Sequence, residues 1–360
     1  MSRTFGLVGL PNAGKSTIFN ALTAAGARVE PYPFCTLQAQ KGIAPVPDPR
    51  LDRLHALFPE KKKVPTTIEV VDIAGLVEGA SRGEGLGNQF LADIRNVEAI
   101  LHVVRCFEAE DVAHPMGELD VKRDIEVVET ELLLKDLETL EGRRERIAKT
   151  ARIGDKQARE ELALLDRLID ALKRGVPIRN ASLTAEEKEK LKGLAPLTLK
   201  PVLFVANVGD SGENEHSRKV AELARERGAG MVVIRGRLEM ELSELAEEER
   251  REFLREYGIG ELAVERLVRE AYRLLSVITF YTFVGPEVRA WTVPAGTKAP
   301  EAGAVIHTDF RDRFVLAEIM RLEDLEQYRS DKALREAGKI LRAGRDYVVQ
   351  DGDVIHFIVA

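Results

Sequence analysis

The run Gly9-Leu10-Pro11-Asn12-Ala13-Gly14-Lys15-Ser16 constrains this chain more than any other feature. It matches G-x-x-x-x-G-K-[ST], follows the apolar run Phe5 to Leu10, and precedes a helical pattern from Ser16 to Ala24. Strand, glycine loop and helix in that order aim backbone N–H groups and a helix N-terminus at one point, which suits the phosphates of a nucleotide. Asn12, Ala13, Gly14, Lys15, Ser16 and Thr17 are therefore the candidate phosphate-binding residues. Lys15 is expected to reach the β- and γ-phosphates, and the Ser16 hydroxyl to ligate Mg²⁺.

Further apolar runs, Ile68 to Ile73, Ala99 to Val104, Pro201 to Ala206 and Met231 to Ile234, alternate with helical patterning. That alternation predicts an α/β domain with a mainly parallel sheet covered on both faces. From Asp124 to Leu199 the sequence turns long, charged and helical, with Leu162, Leu165, Ile169 and Leu172 at the spacing of a helix-packing seam. Ile125, Val128 and Leu132 start a matching stripe, which Leu133, Leu137 and Leu140 continue one position out of phase. A turn at Gly154-Asp155 makes the two helices an antiparallel hairpin inserted into the α/β domain. After a helix from Ile259 to Leu275 the tail is β-rich and glycine-punctuated, as in a small α+β domain. The expected domains are 1–123 plus 200–274 for nucleotide binding, 124–199 for the helical insertion, and 275–360 for the tail.

A length of 360 residues, with 44% hydrophobic and 31% charged, describes a folded chain of more than one core. Its net charge of -7 excludes any global attraction to nucleic acid or an anionic membrane, so such a partner needs a local basic patch. Two cysteines, Cys35 and Cys106, lack disulfide-framework and metal-site spacing. There is no signal-like leader and no apolar stretch long enough to span a bilayer. A cytoplasmic protein without a membrane partner is expected, its oligomeric state left open.

Asp72, at the end of an apolar run and followed by Ile73-Ala74-Gly75, has the position of a carboxylate that holds Mg²⁺ through water. Gly75 would then offer its N–H to the γ-phosphate, making the following loop sensitive to hydrolysis. Thr36, in the irregular stretch Pro31 to Thr36, is the candidate second hydroxyl on Mg²⁺.

GLPNAGKST, YPFCT, DIAGL, EGLGNQFL and HPMGELDVKRDIE together resemble the YchF subfamily of Obg-related P-loop nucleotide hydrolases, the Obg-like ATPases. The segments FYTFVGPEVRAWTVPAGTKAPEAGAVIHTDF and DYVVQDGDVIHF are similar to that subfamily's TGS domain, so the resemblance spans essentially the whole chain. It implies a P-loop Ras-like G domain, an inserted antiparallel coiled-coil hairpin and a C-terminal α+β TGS domain. It also implies ATP hydrolysis and association with the ribosome and ribosomal RNA.

The sequence qualifies that picture at particular residues. Leu76 stands where Ras-like enzymes often carry a glutamine that orients water, so intrinsic hydrolysis is expected to be slow. His114 is the candidate catalytic group, weighed against a structural loop histidine; His102, inside an apolar strand, reads as packing or a hydrogen bond. Asn207, Val208 and Asp210, with Gly236, are the candidate base-contacting residues. Guanine-specific relatives use Asn-Lys-x-Asp; here the lysine is missing, as in the ATP-using subfamily, while Asp210 restores the length suited to guanine. ATP is expected to be preferred, with measurable GTP binding. Arg235-Gly236 replaces the family's common Ser-Ala. Asn12 resembles an asparagine that coordinates K⁺ in enzymes lacking the catalytic glutamine, and its other reading is a brace within the loop.

Between Arg143 and Arg159 seven basic residues face only Glu145 and Asp155, which marks the hairpin tip as the candidate RNA contact. The function expected is a slow, Mg²⁺-dependent, ribosome-associated switch. The alternatives are a GTP-preferring translation-factor-type GTPase and a ribosome-binding module holding nucleotide as a structural ligand. A metabolic kinase is disfavoured, because no lid for a second substrate is evident.

Overall fold

The structure, a computed structural model, describes residues 3–24, 40–73, 86–109, 112–152 and 155–360. Thr36, Gly75, Leu76 and the Gly154 turn, all singled out from the sequence, lie outside the described residues. The chain forms two compact units, one built from 4–43 with 70–270, the other from 1–3 and 44–69 with 271–360. The described strands are β1 (Arg3–Val8), β2 (Gln40–Pro45), β3 (Lys62–Val64), β4 (Thr67–Asp72), β5 (Ala99–Cys106), β6 (Val202–Val208), β7 (Gly230–Ile234), β8 (Val277–Thr282), β9 (Glu287–Pro294), β10 (Phe314–Met320), β11 (Leu341–Ala343) and β12 (Val354–Val359).

The first sheet has the order β2-β4-β1-β5-β6-β7, and β1, β5, β6 and β7 pair in parallel. β5 and β6 are buried along their whole length, as central strands covered on both faces must be. Their near-continuous apolar sequences follow from that burial.

The helix Val121–Arg152 explains the phase shift in its own stripe. Ile125, Val128 and Leu132 lie in the core beside β5 and β6, with Ile94, Phe204 and Val220. One position further round, Leu133, Leu137 and Leu140 pack with Leu165, Leu168, Ile169 and Leu172 of the helix Lys156–Lys173. One helix therefore serves two cores, and its first three turns belong with the sheet and not with the hairpin. Asp155 caps the second helix, accepting the Ala158 N–H at 2.9 Å.

The second sheet has the order β11-β10-β12-β8-β9-β3. Its edge strand β3 pairs in parallel with β9, Lys63 opposite Val288, although it comes from far upstream. The helix Pro49–Leu57 covers one face, placing Leu51 and Leu54 among Tyr281, Phe283, Met320 and Val354. The helix Ala299–Ile306 covers the other through Ala299 and Ala302, against Phe280, Val293 and Phe357. Arg50 fastens the upstream segment by pairing with Asp48 at 3.0 Å and Asp351 at 2.7 Å, while the Tyr281 hydroxyl donates to Asp48. Residues 44–69, assigned from the sequence to the nucleotide-binding domain, thus complete the C-terminal unit. Among the described residues no helix is long and apolar enough to cross a membrane.

Candidate nucleotide and magnesium site

β1 ends at Val8, and the chain leaves it through Gly9, where a Cβ would stand 2.3 Å from the Val103 carbonyl oxygen of β5. Only glycine allows the loop to pass there. Asn12 and Gly14 then take left-handed backbone conformations, φ 62° and 91°, which curl the loop back on itself. The Ile18 N–H donates to the Gly14 carbonyl at 3.0 Å, starting the helix Lys15–Ala24 directly beneath the loop.

Lys15 is buried, and its ammonium donates to the carbonyls of Leu10 at 3.0 Å and Gly9 at 3.3 Å. Burial pushes its pKa down to about 8, and the nearby Asp72 charge only partly opposes this. The Ser16 hydroxyl donates to Asp72 Oδ2 at 2.6 Å, joining the loop helix to the end of β4. Burial raises the Asp72 pKa, with the Ser16 hydrogen bond and the Lys15 charge pulling the other way. A hydroxyl and a carboxylate oxygen side by side suit Mg²⁺, which draws few ligands from the protein and fills its shell with water and substrate phosphates. No group of three or more His, Cys, Asp or Glu residues able to hold a metal occurs among the described residues, so a dedicated all-protein cage is absent there. Thr17 lies half-buried in the first turn of the same helix.

Asn207 ends up as a brace. Its amide donates to the Ala13 carbonyl at 3.0 Å and its carbonyl accepts the Gly236 N–H at 3.0 Å, with the residue 4% exposed. A Cβ at position 14 would lie 2.1 Å from Asn207 Nδ2, a second reason for Gly14. Val208 is buried and Asp210 is exposed, so of this group only Asp210 presents its side chain openly.

His114 sits away from solvent with both ring nitrogens engaged: Nε2 lies 2.9 Å from Asp124 Oδ2, and Nδ1 accepts the Met116 N–H at 3.2 Å. In this arrangement the ring is docked and offers no free nitrogen to a reacting water. Asn12 Nδ2 donates to the Ala113 carbonyl at 3.0 Å, which is the bracing arrangement and leaves the amide nitrogen already engaged. His102 packs on Phe204 with ring centroids 5.2 Å apart, and burial pushes its pKa down to about 3. Burial pushes the Cys106 thiol up to about 12, leaving it inert.

Arg105 and Asp124 escaped the sequence reading. Arg105, buried within β5, donates to the carbonyls of Val112 at 2.9 Å, Phe107 at 3.1 Å and Ala113 at 3.4 Å, and so shapes the segment leading to His114. A charged residue inside the run Ala99 to Cys106 was a usable signal, because such residues are rarely buried without partners.

A family described as 50S ribosome-binding GTPase matches residues 4–141, and the C-terminal YchF GTPase family, described as a protein of unknown function, matches 277–360. The Ribosome-binding ATPase YchF of Haemophilus ducreyi is 48% identical over 98% of both chains. The proteins of the same name from Escherichia coli O157:H7 and Bacillus subtilis are each 46% identical, over 98% and 99% of both chains. The Schizosaccharomyces pombe YchF GTPase structure matches with a TM-score of 0.87 at 35% identity, covering 99% of this chain and 98% of that one. A GTP binding protein from Pyrococcus horikoshii OT3, at TM-score 0.60 and 19% identity, shares the fold. Identity near one half along the full length, joined to a phosphate loop with its lysine, hydroxyl and carboxylate assembled, places this chain in the YchF family of P-loop nucleoside triphosphate hydrolases.

Proposed function

We propose that the protein is a Mg²⁺-dependent hydrolase that prefers ATP to GTP and works in the cytoplasm as a slow, ribosome-associated switch. The observation that carries this reading is the meeting of Lys15 and Ser16 of the phosphate loop with Asp72 at the end of β4, and the names of its relatives supply the ribosome. Lys15, whose ammonium donates to the carbonyls of Gly9 and Leu10 in the free protein, would turn to phosphate oxygens when nucleotide binds. Ser16 and Asp72 would hold the Mg²⁺, Thr36 joining them from the first switch loop and Gly75 giving its N–H to the γ-phosphate. When bound, the ion neutralises charge on the phosphates.

The base preference rests on position 208, where a buried valine cannot cover a guanine as lysine does. Asp210 is the one residue that favours GTP, and it keeps GTP binding measurable. Rejection of a base depends on the hydrogen-bonding groups left unpaired, and such differences reach orders of magnitude. Calorimetry with both nucleotides, followed by phosphate release with and without Mg²⁺, K⁺ and ribosomes, tests each part. GTP bound at least tenfold more tightly than ATP reverses the preference. Rates equal in K⁺ and Na⁺ remove any role for K⁺ at Asn12. Turnover unmoved by ribosomes reduces the nucleotide to a structural ligand.

A further inference from the structure

We propose that Asp124 is the positioning residue for His114: it holds the imidazole docked in the nucleotide-free protein and must let it go before the ring can act on the attacking water. The proposal rests on the reading of His114 as the catalytic group.

The hydrogen bonds fix the tautomer. The Met116 N–H points at Nδ1, which must therefore be the acceptor nitrogen, so the proton lies on Nε2 and is donated to Asp124 Oδ2 at 2.9 Å. The two side chains are only 5% and 6% exposed. With one nitrogen accepting and the other donating, the docked ring can neither take a proton from water nor hold a water in place. Release from Asp124 restores the Nε2–H as a free donor. Loss of the Met116 contact restores Nδ1 as a base.

The dock is built at a cost that a purely structural pair would avoid. Asp124 Oδ1 is buried and makes no hydrogen bond; the nearest cation, the Arg123 guanidinium, stands 3.6 Å away. A buried carboxylate oxygen without a hydrogen bond is unfavourable and calls for an explanation. Holding a group that later departs provides one, because the opened site hydrates the carboxylate and relieves that cost. Asp124 also lies in the first turn of the helix Val121–Arg152, where the helix dipole favours its charge once the imidazole has left.

The dock is tied to the phosphate loop through one peptide unit. The Ala113 carbonyl, adjoining His114, accepts from Asn12 Nδ2 at 3.0 Å and from the Arg105 guanidinium at 3.4 Å. Asn12 belongs to the loop that closes round the phosphates, so filling that loop shifts the anchor of the residue next to His114. Arg105 also donates to the Val112 carbonyl at 2.9 Å, on the other side of that residue. Asp124 thereby links nucleotide loading to the helix that continues into the hairpin.

The test uses the full-length protein with ¹⁵N-labelled histidine. The free protein should show a slowly exchanging His114 Nε2–H resonance, lost on saturation with a non-hydrolysable ATP analogue and Mg²⁺. Asp124→Asn, which keeps the shape and removes the charge, should raise basal kcat about five- to tenfold, the range of a weakened charge-assisted hydrogen bond, with KM unchanged. The rise should vanish when His114→Ala is added. A resonance that survives nucleotide loading overturns the dock, and so does a kcat unchanged or lowered by Asp124→Asn. Wild-type hydrolysis by His114→Ala alone overturns the catalytic reading of His114, and the resonance then decides independently whether the dock opens.

Discussion

Asn207 reaches across from the end of β6 to the Ala13 carbonyl at 3.0 Å, while its own carbonyl takes the Gly236 N–H at 3.0 Å. One side chain thus ties the phosphate loop to the turn that starts the helix Gly236–Glu244. Asn207→Ala leaves two buried backbone groups unpaired, at about 1–3 kcal/mol each. Nucleotide affinity should fall at least tenfold, measured by titration with a fluorescent ATP analogue. Affinity equal to wild type means the brace is idle.

Lys15→Ala should abolish phosphate release while far-ultraviolet circular dichroism stays unchanged, because in the free protein its ammonium holds only two loop carbonyls. Ser16→Ala should raise the Mg²⁺ concentration needed for half-maximal hydrolysis, since it removes one of the two adjoining oxygen donors. Full hydrolysis by folded Lys15→Ala protein would falsify the phosphate assignment.

Stability should show an acid limb owed to His102. Burial chiefly, helped by the charges of Arg179 and Arg227, holds its pKa near 3 against 6.5 in the unfolded chain. Above pH 6.5 both states carry a neutral ring, so this contribution to stability is fully present. Below it the unfolded chain gains a proton that the folded one refuses, and stability falls by roughly 1.4 kcal/mol per pH unit. His102→Phe keeps an aromatic partner for Phe204 and removes the proton, so urea unfolding between pH 6.5 and 4 should lose about one proton's worth of slope. Identical slopes place the acid sensitivity elsewhere.

How much was legible from the sequence depended on whether the partners were close in the chain. The phosphate loop needs a fixed spacing within a single turn, so Gly9, Gly14, Lys15 and Ser16 announce it together. Asp72 could be read because it ends an apolar run downstream of that loop. The Asn207 brace joins residues 194 apart, and no local pattern encodes it. The Arg50 clamp on Asp351 spans 301 residues, which is why 44–69 looked continuous with the nucleotide-binding domain. The phase shift at Leu132-Leu133 was visible, yet its meaning was not, because periodicity shows that a helix changes its buried face without naming what each face meets.

The hairpin carries the last prediction, and its electrostatics differ from a simple charge count. Arg143 pairs with Glu161 at 2.6 Å, and Arg144 pairs with Asp166 on the opposing helix. Arg146 and Arg159 turn back on the carbonyls of Gly142 and Ala151. Two of the seven cations are thus neutralised across the hairpin, and Lys149 and Lys156, with Arg152 between them in sequence, are the better candidates for RNA phosphates. Such contacts release counterions, each adding about 0.7 to 0.9 to the slope of log affinity against log salt. Replacing Lys149, Arg152 and Lys156 by Glu should therefore abolish ribosome co-sedimentation at moderate salt and leave ribosome-free hydrolysis unchanged, since all three lie more than a hundred residues along the chain from the phosphate loop. Replacing Arg144 alone by Ala should do little, because its guanidinium is already engaged by Asp166 and is not free for a phosphate. Co-sedimentation that persists in the triple variant, with its salt slope intact, moves the RNA contact off the hairpin. The C-terminal unit then becomes the next surface to test, beginning with Lys62, exposed on its edge strand β3, whose neighbour Lys63 is paired with Asp52 at 2.7 Å.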